Sequence, residues 1–403
     1  MSRALPESEP TAQQQYQSAR HLKQQIKQRA SELGFALCGV TTPDAPPHQE
    51  EYAQWLADDM HGEMGYLATE RARERRADPR MILPECESIL TLAMNYFQGE
   101  WPHTAEEHTG RVARYAWNDD YHDVMLERLQ ELVEFITTEA DRPIAHKIYT
   151  DTGPLLEREL AQRAGLGWIG KNTNLINPRI GSWLLLAEVL LDVSLPPDEP
   201  LTTDHCGTCT ACITACPTDA ILTDPRRVDS RRCISYLTIE TKGEIEEDMR
   251  AGIGDWVFGC DICQDVCPWN VRFAEANLDP AFAPRTTIPN PELTALLAMS
   301  QEEFSRTFRG SPIKRTKRRG LLRNACVVLS NSGNATAVPA LAEALSNSEE
   351  PVIRAHAAWA LGEIASLKAH EVLSRADAKE NDLSVMSEIE AALERIGPAR
   401  RIN

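Results

Sequence analysis

Hydrophobic residues in the first half of the chain follow helical and extended periods in turn. Apolar side chains recur at helical spacing over residues 16–33, and Gly34 then provides a natural helix end. A second helical face comprises Met125, Leu129, Leu132, Val133 and Ile136. Apolar runs bounded by turn residues predict strands at 35–40, 88–97, 112–117 and 144–150. Because the two kinds of element alternate irregularly, the pattern favours an α+β fold over a doubly wound sheet.

The most apolar run of the chain, residues 183–191, contains one charged residue, Glu188. It is much shorter than the roughly 20 residues that a membrane span needs, so we predict a buried strand. Residues 1–15 are polar and rich in Pro, Glu and Gln, which predicts a tail and lacks the apolar segment of a signal peptide. We therefore expect a cytoplasmic protein without a membrane span.

Length and charge limit the possible classes. The 403 residues suffice for roughly two to four domains, and 42% hydrophobic with 25% charged residues is typical of globular proteins. We predict domains at 1–195, 196–285 and 286–403, with a proline-rich linker at 196–200. The net charge of −18 argues against general binding to nucleic acid or anionic membranes.

The negative charge is unevenly distributed. Residues 304–342 contain no Asp or Glu, although basic residues are frequent there. A local basic segment attracts phosphate backbones, and the alternative is a solvated helix start. The candidate nucleic-acid contacts are Lys314, Arg315, Lys317, Arg318 and Arg319.

A weak internal repeat follows this basic segment. The segment Leu322-Arg323-Asn324-Ala325 recurs as Ile353-Arg354-Ala355-His356, at an offset of about 31 residues. Paired helices at such a period predict HEAT-like repeats with a concave binding surface. Two repeats are too few for a free-standing solenoid, so we expect them to lean on the rest of the protein.

Two cysteine runs carry the most specific chemistry of the sequence. Residues 206–217 read C-x2-C-x2-C-x3-C-P, the ferredoxin spacing in which the fourth thiolate binds a different 4Fe–4S cluster from the first three. A second run, Cys260-x2-Cys263-x3-Cys267-Pro268, supplies the required partner. The alternative is structural zinc, but zinc ribbons do not use this spacing.

The second run lacks one ligand, because Val257 stands where a symmetric ferredoxin has Cys. Cys233 is the available replacement. Ferredoxin crossing then predicts one cluster on Cys206, Cys209, Cys212 and Cys267, and the other on Cys216, Cys233, Cys260 and Cys263. The remaining cysteines lie in apolar segments and are most simply explained as small core residues: Cys38, Cys86 and Cys326.

One glycine motif is a false match to a dinucleotide site. Gly165-x-Gly167-x-x-Gly170 has the right letters, but the fingerprint must follow a strand and open a helix. Here the preceding residues 155–164 are predicted to be helical, and 175–176 extended. We interpret the glycines as a helix end and a turn.

Asp151 stands where an apolar strand ends and a helix is predicted to begin. Such strand ends often carry catalytic groups, whereas the simpler interpretation is a helix cap. A proton-donating carboxyl would need a raised pKa. An arginine-rich run that includes Arg76 precedes residues 81–84 and is either a solvated surface or a contact to a phosphate or a propionamide group.

Taken together, these features resemble the epoxyqueuosine reductase family of tRNA-modifying enzymes. The resemblance covers nearly the whole chain after about residue 17. Besides the two cysteine runs, it is carried by Tyr121-His122-Asp123, Asp151-Thr152-Gly153, the segment that ends at Lys171-Asn172, residues 233–238 and residues 354–362.

The resemblance implies a cobalamin-binding domain akin to that of reductive dehalogenases, with the ferredoxin module reducing the cobalt. The substrate would be epoxyqueuosine at the wobble position of a tRNA, and loss of the epoxide oxygen gives queuosine in the last step of its biosynthesis. Asp151 matches the proton donor, and the basic run matches the tRNA-binding segment. Residues that match or lie beside cobalamin contacts are Arg76, Asp151, Ser235, Thr241 and Asp261. We expect a monomer that is served by a low-potential electron donor, which the sequence does not identify.

Two other classes of function compete with this hypothesis. A dehalogenase-like cobalamin reductase would act on a small molecule, but the basic segment, the repeats and the lack of a twin-arginine signal argue against it. A non-enzymatic adaptor would only carry clusters or bind tRNA, and a bound corrin would exclude it.

Overall fold

The computed structural model describes residues 11–102, 107–223 and 226–397. The first ten residues of the predicted tail lie outside these ranges. Within them, the first helix already begins at Ala12, so the tail prediction is wrong for residues 11–15. The reason is a cap: the Thr11 hydroxyl accepts a hydrogen bond from the Gln14 amide, and the Gln14 side chain accepts one from the Thr11 amide.

Helices and strands are mixed, and the α+β prediction is confirmed. Among the described residues, the strands are β1 (Leu37–Thr41), β2 (Ser88–Asn95), β3 (Arg111–Val112), β4 (His146–Tyr149), β5 (Trp168–Ile169), β6 (Leu175–Ile176), β7 (Leu184–Leu191), β8 (Ile221–Thr223), β9 (Arg226–Val228) and β10 (Trp256–Phe258). The α-helices of the first two regions are α1 (Ala12–Glu32), α2 (Gln49–Ala57), α3 (Glu70–Ala77), α4 (Tyr121–Glu139), α5 (Glu157–Arg163), α6 (Ala211–Ala215), α7 (Ile234–Ile239), α8 (Glu247–Arg250), α9 (Ile262–Asp265) and α10 (Pro268–Phe273).

The C-terminal part is helical throughout. Its helices are α11 (Leu293–Ala298), α12 (Gln301–Thr307), α13 (Lys317–Asn331), α14 (Val338–Asn347), α15 (Pro351–Ile364), α16 (Leu367–Asp377) and α17 (Leu383–Ile396). Short 3-10 helices lie at Gly65–Leu67, Pro79–Met81, Arg114–Ala116, Ser230–Arg232, Ala251–Ile253, Pro280–Phe282, Pro312–Thr316 and Ala335–Ala337. In the described ranges, no helix combines the length and the apolar character that crossing a membrane requires.

The main sheet is antiparallel, with the strand order β1-β2-β7-β4. One face buries Leu90, Leu92 and Val189 with residues of α1 and α4. The opposite face packs Ile89 and Leu190 with Leu160 of α5. This two-layer burial follows from strands that are apolar on both faces.

The predicted strand at 112–117 is wrong beyond its first residue. Only Arg111–Val112 pairs, with β10, and the chain then turns into the 3-10 helix Arg114–Ala116. The indole N–H of Trp117, which is 1% exposed, donates to the Val112 carbonyl at 2.6 Å. Burial of this large ring beside its own chain favours the turn over continued pairing.

The C-terminal helices share a core with the cysteine-bearing region. Leu237, Phe258 and Val327 belong to one buried cluster that extends to residues of α17. The prediction that the repeats lean on the rest of the protein is therefore confirmed.

Two neighbouring side chains of α13 fasten this contact. The buried guanidinium of Arg323 donates to the carbonyls of Leu237, Thr241 and Gly243 at 2.8–2.9 Å. The Asn324 amide donates to the Thr238 carbonyl at 2.7 Å. The last carbonyls of a helix have no partner within it, so α13 supplies an end cap for α7.

Replacement of Arg323 should loosen this cap. We expect Arg323→Leu to lower the free energy of unfolding by about 3 kcal/mol, because it leaves buried carbonyls without donors. Urea unfolding followed by circular dichroism measures the loss. Arg306→Leu, at an exposed position of α12, is the matched control. Equal unfolding midpoints for the two variants would contradict the cap's contribution.

Candidate active site and metal centres

Asp151 lies just beyond the C-terminal end of β4, in the left-handed backbone conformation (φ 57°) that aspartate tolerates. Its Oδ2 accepts a hydrogen bond from the Tyr121 hydroxyl at 3.0 Å and lies 3.8 Å from Nε2 of His122. Helix α5 begins at Glu157, and its N-terminal flanking residue is Leu156, which provides no side-chain cap. The alternative interpretation of Asp151 as a helix cap is therefore wrong.

The proton of this group resides on His122. Desolvation lowers the pKa of His122, but its contacts with Asp120 (2.7 Å) and Asp151 outweigh this and raise the pKa to about 9. Desolvation raises the pKa of Asp151, but hydrogen bonds from His122 and Tyr121 hold it below its ordinary value. At neutral pH the structure thus pairs an imidazolium with a carboxylate. The pKa of Asp151 is thus lowered, whereas a proton donor needs a raised one.

The side chain of Asp151 is 66% exposed, yet the surrounding protein is dense enough for desolvation to act strongly on its carboxyl. We infer from this combination that Asp151 lines a concave surface. Its charge also acts on Tyr66 and Arg315, and Arg315 lies over the Tyr66 ring at 5.6 Å. Arg315 is paired with Glu240 at 2.9 Å. One of the predicted tRNA contacts therefore faces the same concave region as Asp151.

Aromatic rings connect Asp151 to the second cysteine run. The rings of Tyr121 and Tyr115 are 6.1 Å apart, and so are those of Tyr115 and Phe258. Phe258 precedes Cys260 by two residues. Burial, followed by the charges of Asp151 and Asp261, raises the pKa of Tyr115 well above its usual value. This aromatic wall thus lies between the two carboxylates.

Asp261 is held by Arg114, a residue that no sequence motif had indicated. The Arg114 amide donates to Oδ2 of Asp261 at 2.8 Å, and its guanidinium contacts Asp261 at 3.2 Å and Asp265 at 2.7 Å. The same cation lies over the rings of Trp183 and Trp101. Such a neutralised and stacked guanidinium is a rigid support for the loop that carries Cys260.

The other residues predicted to contact cobalamin lie on two different helices, α7 and α3, or directly after them. Ser235 is half-buried on α7, and Thr241 is buried just beyond the end of this helix. Arg76 is buried on α3, where it donates to the Ala72 carbonyl and lies over the Tyr52 ring.

The eight cysteines of the predicted clusters fall into two neighbouring groups. After desolvation, the thiolates that most raise the pKa of Cys212 are those of its predicted partners Cys206, Cys267 and Cys209. Lys171 ties this first group to the N-terminal region by donating to the carbonyls of Gly207 and Cys209. Its outer member, Cys209, is exposed.

The second group lies deeper. Desolvation and then the charge of Cys233 raise the pKa of Cys263, with further contributions from Cys212 and Cys216. For Cys260 the neighbours are Cys263 and Cys233. In the ranges that the structure describes, no three His, Cys, Asp or Glu side chains converge on a point where one metal ion would fit.

The predicted tRNA-binding residues differ in availability. Lys314 and Lys317 are exposed, at the 3-10 helix Pro312–Thr316 and at the start of α13. Arg318 is engaged, because its Nε donates to the Met299 carbonyl at 2.6 Å. Arg319 is half-buried. The exposed lysines are therefore the freer part of the run.

The glycines at 165, 167 and 170 behave as predicted. Gly165 has φ 76° and follows the last residues of α5, and the chain then enters the β5–β6 hairpin. The segment neither follows a strand nor opens a helix, so the rejection of a dinucleotide fingerprint is confirmed.

Two further carboxyl groups near Asp151 were not predicted as site residues from the sequence. Glu188, at the centre of β7, is 0% exposed, and Glu157 reaches toward it from α5. Desolvation and then the charge of Asp151 raise the pKa of Glu157 to about 8. The only sequence signal was the interruption of an apolar run by Glu188.

Family models match three stretches of the chain. Residues 76–152 match "Epoxyqueuosine reductase QueG, DUF1730", residues 205–270 match "4Fe-4S double cluster binding domain", and residues 315–394 match "HEAT repeats". The last two matches confirm the double-cluster and repeat predictions at the level of fold.

Relatives match over most of the chain. An epoxyqueuosine reductase from Xanthomonas campestris is 41% identical over 342 residues, which cover 84% of this chain and 95% of the relative. Two crystallised epoxyqueuosine reductases, each 34% identical with a TM-score of 0.85, cover 94% of this chain and are covered to 99%. One is described with an epoxyqueuosine-modified tRNA-Tyr stem loop. The other, from Bacillus subtilis, has its catalytic aspartate loop swung out of the active site.

These matches combine high coverage with an identity at which family membership is secure. They span the Asp151 site, both thiol groups and the C-terminal helices. The chain belongs to the epoxyqueuosine reductase family and is an oxidoreductase.

Proposed function

We propose that the protein reduces epoxyqueuosine at the wobble position of tRNA to queuosine. The observation that carries this proposal is the Asp151–His122 pair, which opens onto a concave surface whose aromatic wall leads to two groups of thiols. Removal of an epoxide oxygen consumes two electrons and two protons, so a proton-holding pair beside an electron path suits it. The names of the relatives and the modified stem loop bound by one neighbour support the same substrate.

The two thiol groups would hold 4Fe–4S clusters with the ligands predicted from their spacing. Exposed Cys209 makes the first group the natural entry point for electrons from a low-potential donor. The second group lies next to the aromatic wall. Cys212, of the first group, is near enough to Cys263 for its charge to raise the pKa of Cys263. Electrons would therefore pass from the outer group to the inner one and on toward Asp151.

The concave surface suits a flat macrocycle such as cobalamin. Half-buried Tyr115 offers an apolar contact and half-buried Ser235 a polar one, and the further proposed contacts are the buried residues Asp261, Thr241 and Arg76. When bound, cobalamin supplies a cobalt centre that passes electrons to the substrate. The protein's own residues position the substrate and provide protons.

Proton delivery would run through Oδ2 of Asp151. The imidazolium of His122 lies 3.8 Å from this oxygen, and Asp120 holds the other ring nitrogen. When the substrate covers the concave surface, loss of water raises the pKa of Asp151 and favours proton transfer from His122 to it. The protonated carboxyl can then donate to the departing epoxide oxygen, which avoids a free alkoxide.

The basic segment would hold the anticodon arm. An anticodon is single-stranded, so its modified base can enter a cavity while lysines contact the phosphates. Arg315 lies at the same concave surface as Asp151, and the exposed residues Lys314 and Lys317 are on the same segment of the chain. Since tRNA is a cytoplasmic molecule, we propose that the protein acts in the cytoplasm. We also propose that it is a monomer.

A deletion strain provides the decisive test of the substrate. Mass spectrometry of its tRNA nucleosides should show accumulated epoxyqueuosine and loss of queuosine. Unchanged queuosine would reject the proposed function and favour a small-molecule reductase.

Replacement of the proposed proton donor should abolish turnover. We expect Asp151→Asn to lower the rate of epoxyqueuosine reduction by a factor of about 100 or more, because an amide cannot donate the required proton. The left-handed conformation also suits asparagine, so the fold is retained. Nucleoside analysis after reaction in vitro measures the rate, and iron and cobalt contents serve as controls. Full activity would remove Asp151 from this role.

Loss of Cys233 should remove one cluster. We expect Cys233→Ala to lower the iron content from about eight to about four atoms per chain, because the second group loses a ligand. Cys38→Ala, at a half-buried cysteine of β1, is the control and should retain all iron. Equal iron in both variants would reject Cys233 as a ligand.

Charge reversal on the free lysines should weaken tRNA binding. We expect the double variant Lys314→Glu, Lys317→Glu to reduce affinity at least tenfold and to flatten its dependence on salt. Arg318 is left intact because it supports the Met299 carbonyl. Binding of labelled tRNA at several salt concentrations measures both effects. The double reversal Lys368→Glu, Lys379→Glu, at two exposed lysines on and just after α16, is a control for net charge, and an equal effect there would discard the patch.

A further inference from the structure

The N-terminal end of α4 carries three residues of the candidate active site. Asp120 flanks the helix, where its Oδ1 accepts a hydrogen bond from the backbone amide of His122 at 3.1 Å and lies 2.7 Å from Nδ1 of the same residue. Tyr121, the first residue of α4, donates to Asp151 at 3.0 Å. The direction in which His122 offers its proton therefore depends on where this helix end lies.

The chain that leads into α4 is irregular and is held by a distant part of the sequence. Each of the residues 117–120 makes a hydrogen bond to a residue between 282 and 310. The backbone amide of Asp120 donates to the Gly310 carbonyl at 2.9 Å. Gly310 has a left-handed backbone (φ 58°), which glycine adopts without strain. The position of Asp120 is thus set from outside its own helix.

Arg285 connects this stretch to the same carbonyl. Its guanidinium donates to Oδ1 of Asp119 at 2.7 Å and to the carbonyls of Gly310 and Arg309 at 2.5 and 3.0 Å. Its backbone amide donates to the Trp117 carbonyl at 2.8 Å. The planar guanidinium presents its N–H groups in fixed directions, so it holds these acceptors in one arrangement.

The two carbonyls that Arg285 binds belong to the basic segment of the C-terminal region. Gly310 lies between α12 and the 3-10 helix Pro312–Thr316. The neighbouring side chains of Arg309 and Lys314 are exposed and are available to the phosphates of a nucleic acid. One junction therefore joins the proposed tRNA contact to the helix end that carries His122.

We propose that Arg285 is a positioning residue for proton delivery, which fixes the start of α4 against the basic segment so that His122 supplies its proton where the substrate lies. This inference rests on the proposed reduction of epoxyqueuosine. Arg285 acts through Asp120 and His122 and does not touch the substrate.

Such a support matters because proton transfer is sensitive to small displacements. Nε2 of His122 is 3.8 Å from Oδ2 of Asp151, so the two atoms must approach each other before a proton passes between them. A displacement of about 1 Å at a reacting pair can lower a rate about a hundredfold. A start of α4 that is free to move would carry the imidazole away from this approach.

Loss of Arg285 should slow the reaction without weakening tRNA binding. In the cofactor-loaded enzyme, we expect Arg285→Leu to lower the single-turnover rate of epoxyqueuosine reduction about tenfold or more at saturating tRNA, because His122 is no longer held toward Asp151. The dissociation constant for tRNA should change by less than about threefold, since the exposed lysines are retained. An unchanged rate would overturn the proposal.

Arg142 provides a matched control beyond the other end of α4. Its guanidinium donates to Oδ2 of Asp192 at 2.9 Å and to the Asp192 carbonyl at 2.8 Å. Arg142→Leu therefore removes a comparable arginine contact, and it should retain the full rate even where it lowers the unfolding temperature as much as Arg285→Leu does. An equal loss of rate in both variants would assign the effect to general destabilisation and overturn the proposal.

The protonation of His122 gives a second measurement that needs no turnover. The charged groups that act on His122 are Asp120 and Asp151, while Arg285 acts on Asp120 and Arg158 on Asp151. Removal of a cation would by itself raise the pKa of His122, whereas a lost contact with Asp120 lowers it from about 9. We therefore expect this pKa to fall in Arg285→Leu, and a rise or no change would contradict positioning.

Nuclear magnetic resonance of histidine-labelled protein measures this pKa, with His122→Gln to identify the signal. Arg285→Lys keeps the test decisive if Arg285→Leu does not fold, because a single ammonium group keeps the charge but cannot span Asp119 and both carbonyls. A normal rate together with a normal pKa of His122 in this variant would overturn the proposal. If the unmodified enzyme does not reduce epoxyqueuosine, the proposed function fails, whereas the titration still reports whether Arg285 positions His122.

Discussion

The cap that α13 places on α7 is the contact on which the rest of the arrangement depends. Arg323 and Asn324 satisfy carbonyls at the end of a helix that begins directly after Cys233. Burial of a guanidinium is unfavourable, and it lowers the pKa of Arg323 to about 10, but several carbonyl acceptors compensate for the lost water. The position of Cys233, which we propose as a cluster ligand, is therefore determined by a helix of the repeat region.

Desolvation has opposite results in different parts of the active site. At Asp151 it is outweighed by donors from Tyr121 and His122, so the acid is ionised and the imidazole carries the proton. At Glu188 no donor is available, and the acid stays neutral. Glu188 lies on the α5 face of the sheet, whereas Asp151 is held by Tyr121 and His122 of α4. The availability of hydrogen-bond donors, more than the degree of burial, determines which of these groups carry a proton.

Features encoded by local spacing were predictable from the sequence, whereas those that depend on distant partners were not. The grouping of the cysteines and the amphipathic helix α4 were predicted correctly, because ligand spacing and helical periodicity are patterns within a short stretch of sequence. The strand at 112–117 failed because burial of Trp117 outweighed its extended preference. The protonation of Asp151 depends on His122, 29 residues earlier in the chain, and the Glu157–Glu188 contact depends on how α5 crosses the sheet.

The late position of Arg323 in the chain has a consequence for biogenesis. While the ribosome is making residues 268–322, α7 has no cap, although all eight candidate cluster cysteines have already been synthesised. Iron and sulfide can therefore meet a complete set of thiols whose Cys233 segment is not yet held in place. Maturation of the deeper cluster should accordingly be coupled to completion of the C-terminal helices, and a truncated chain would bind the outer cluster more readily than the inner one.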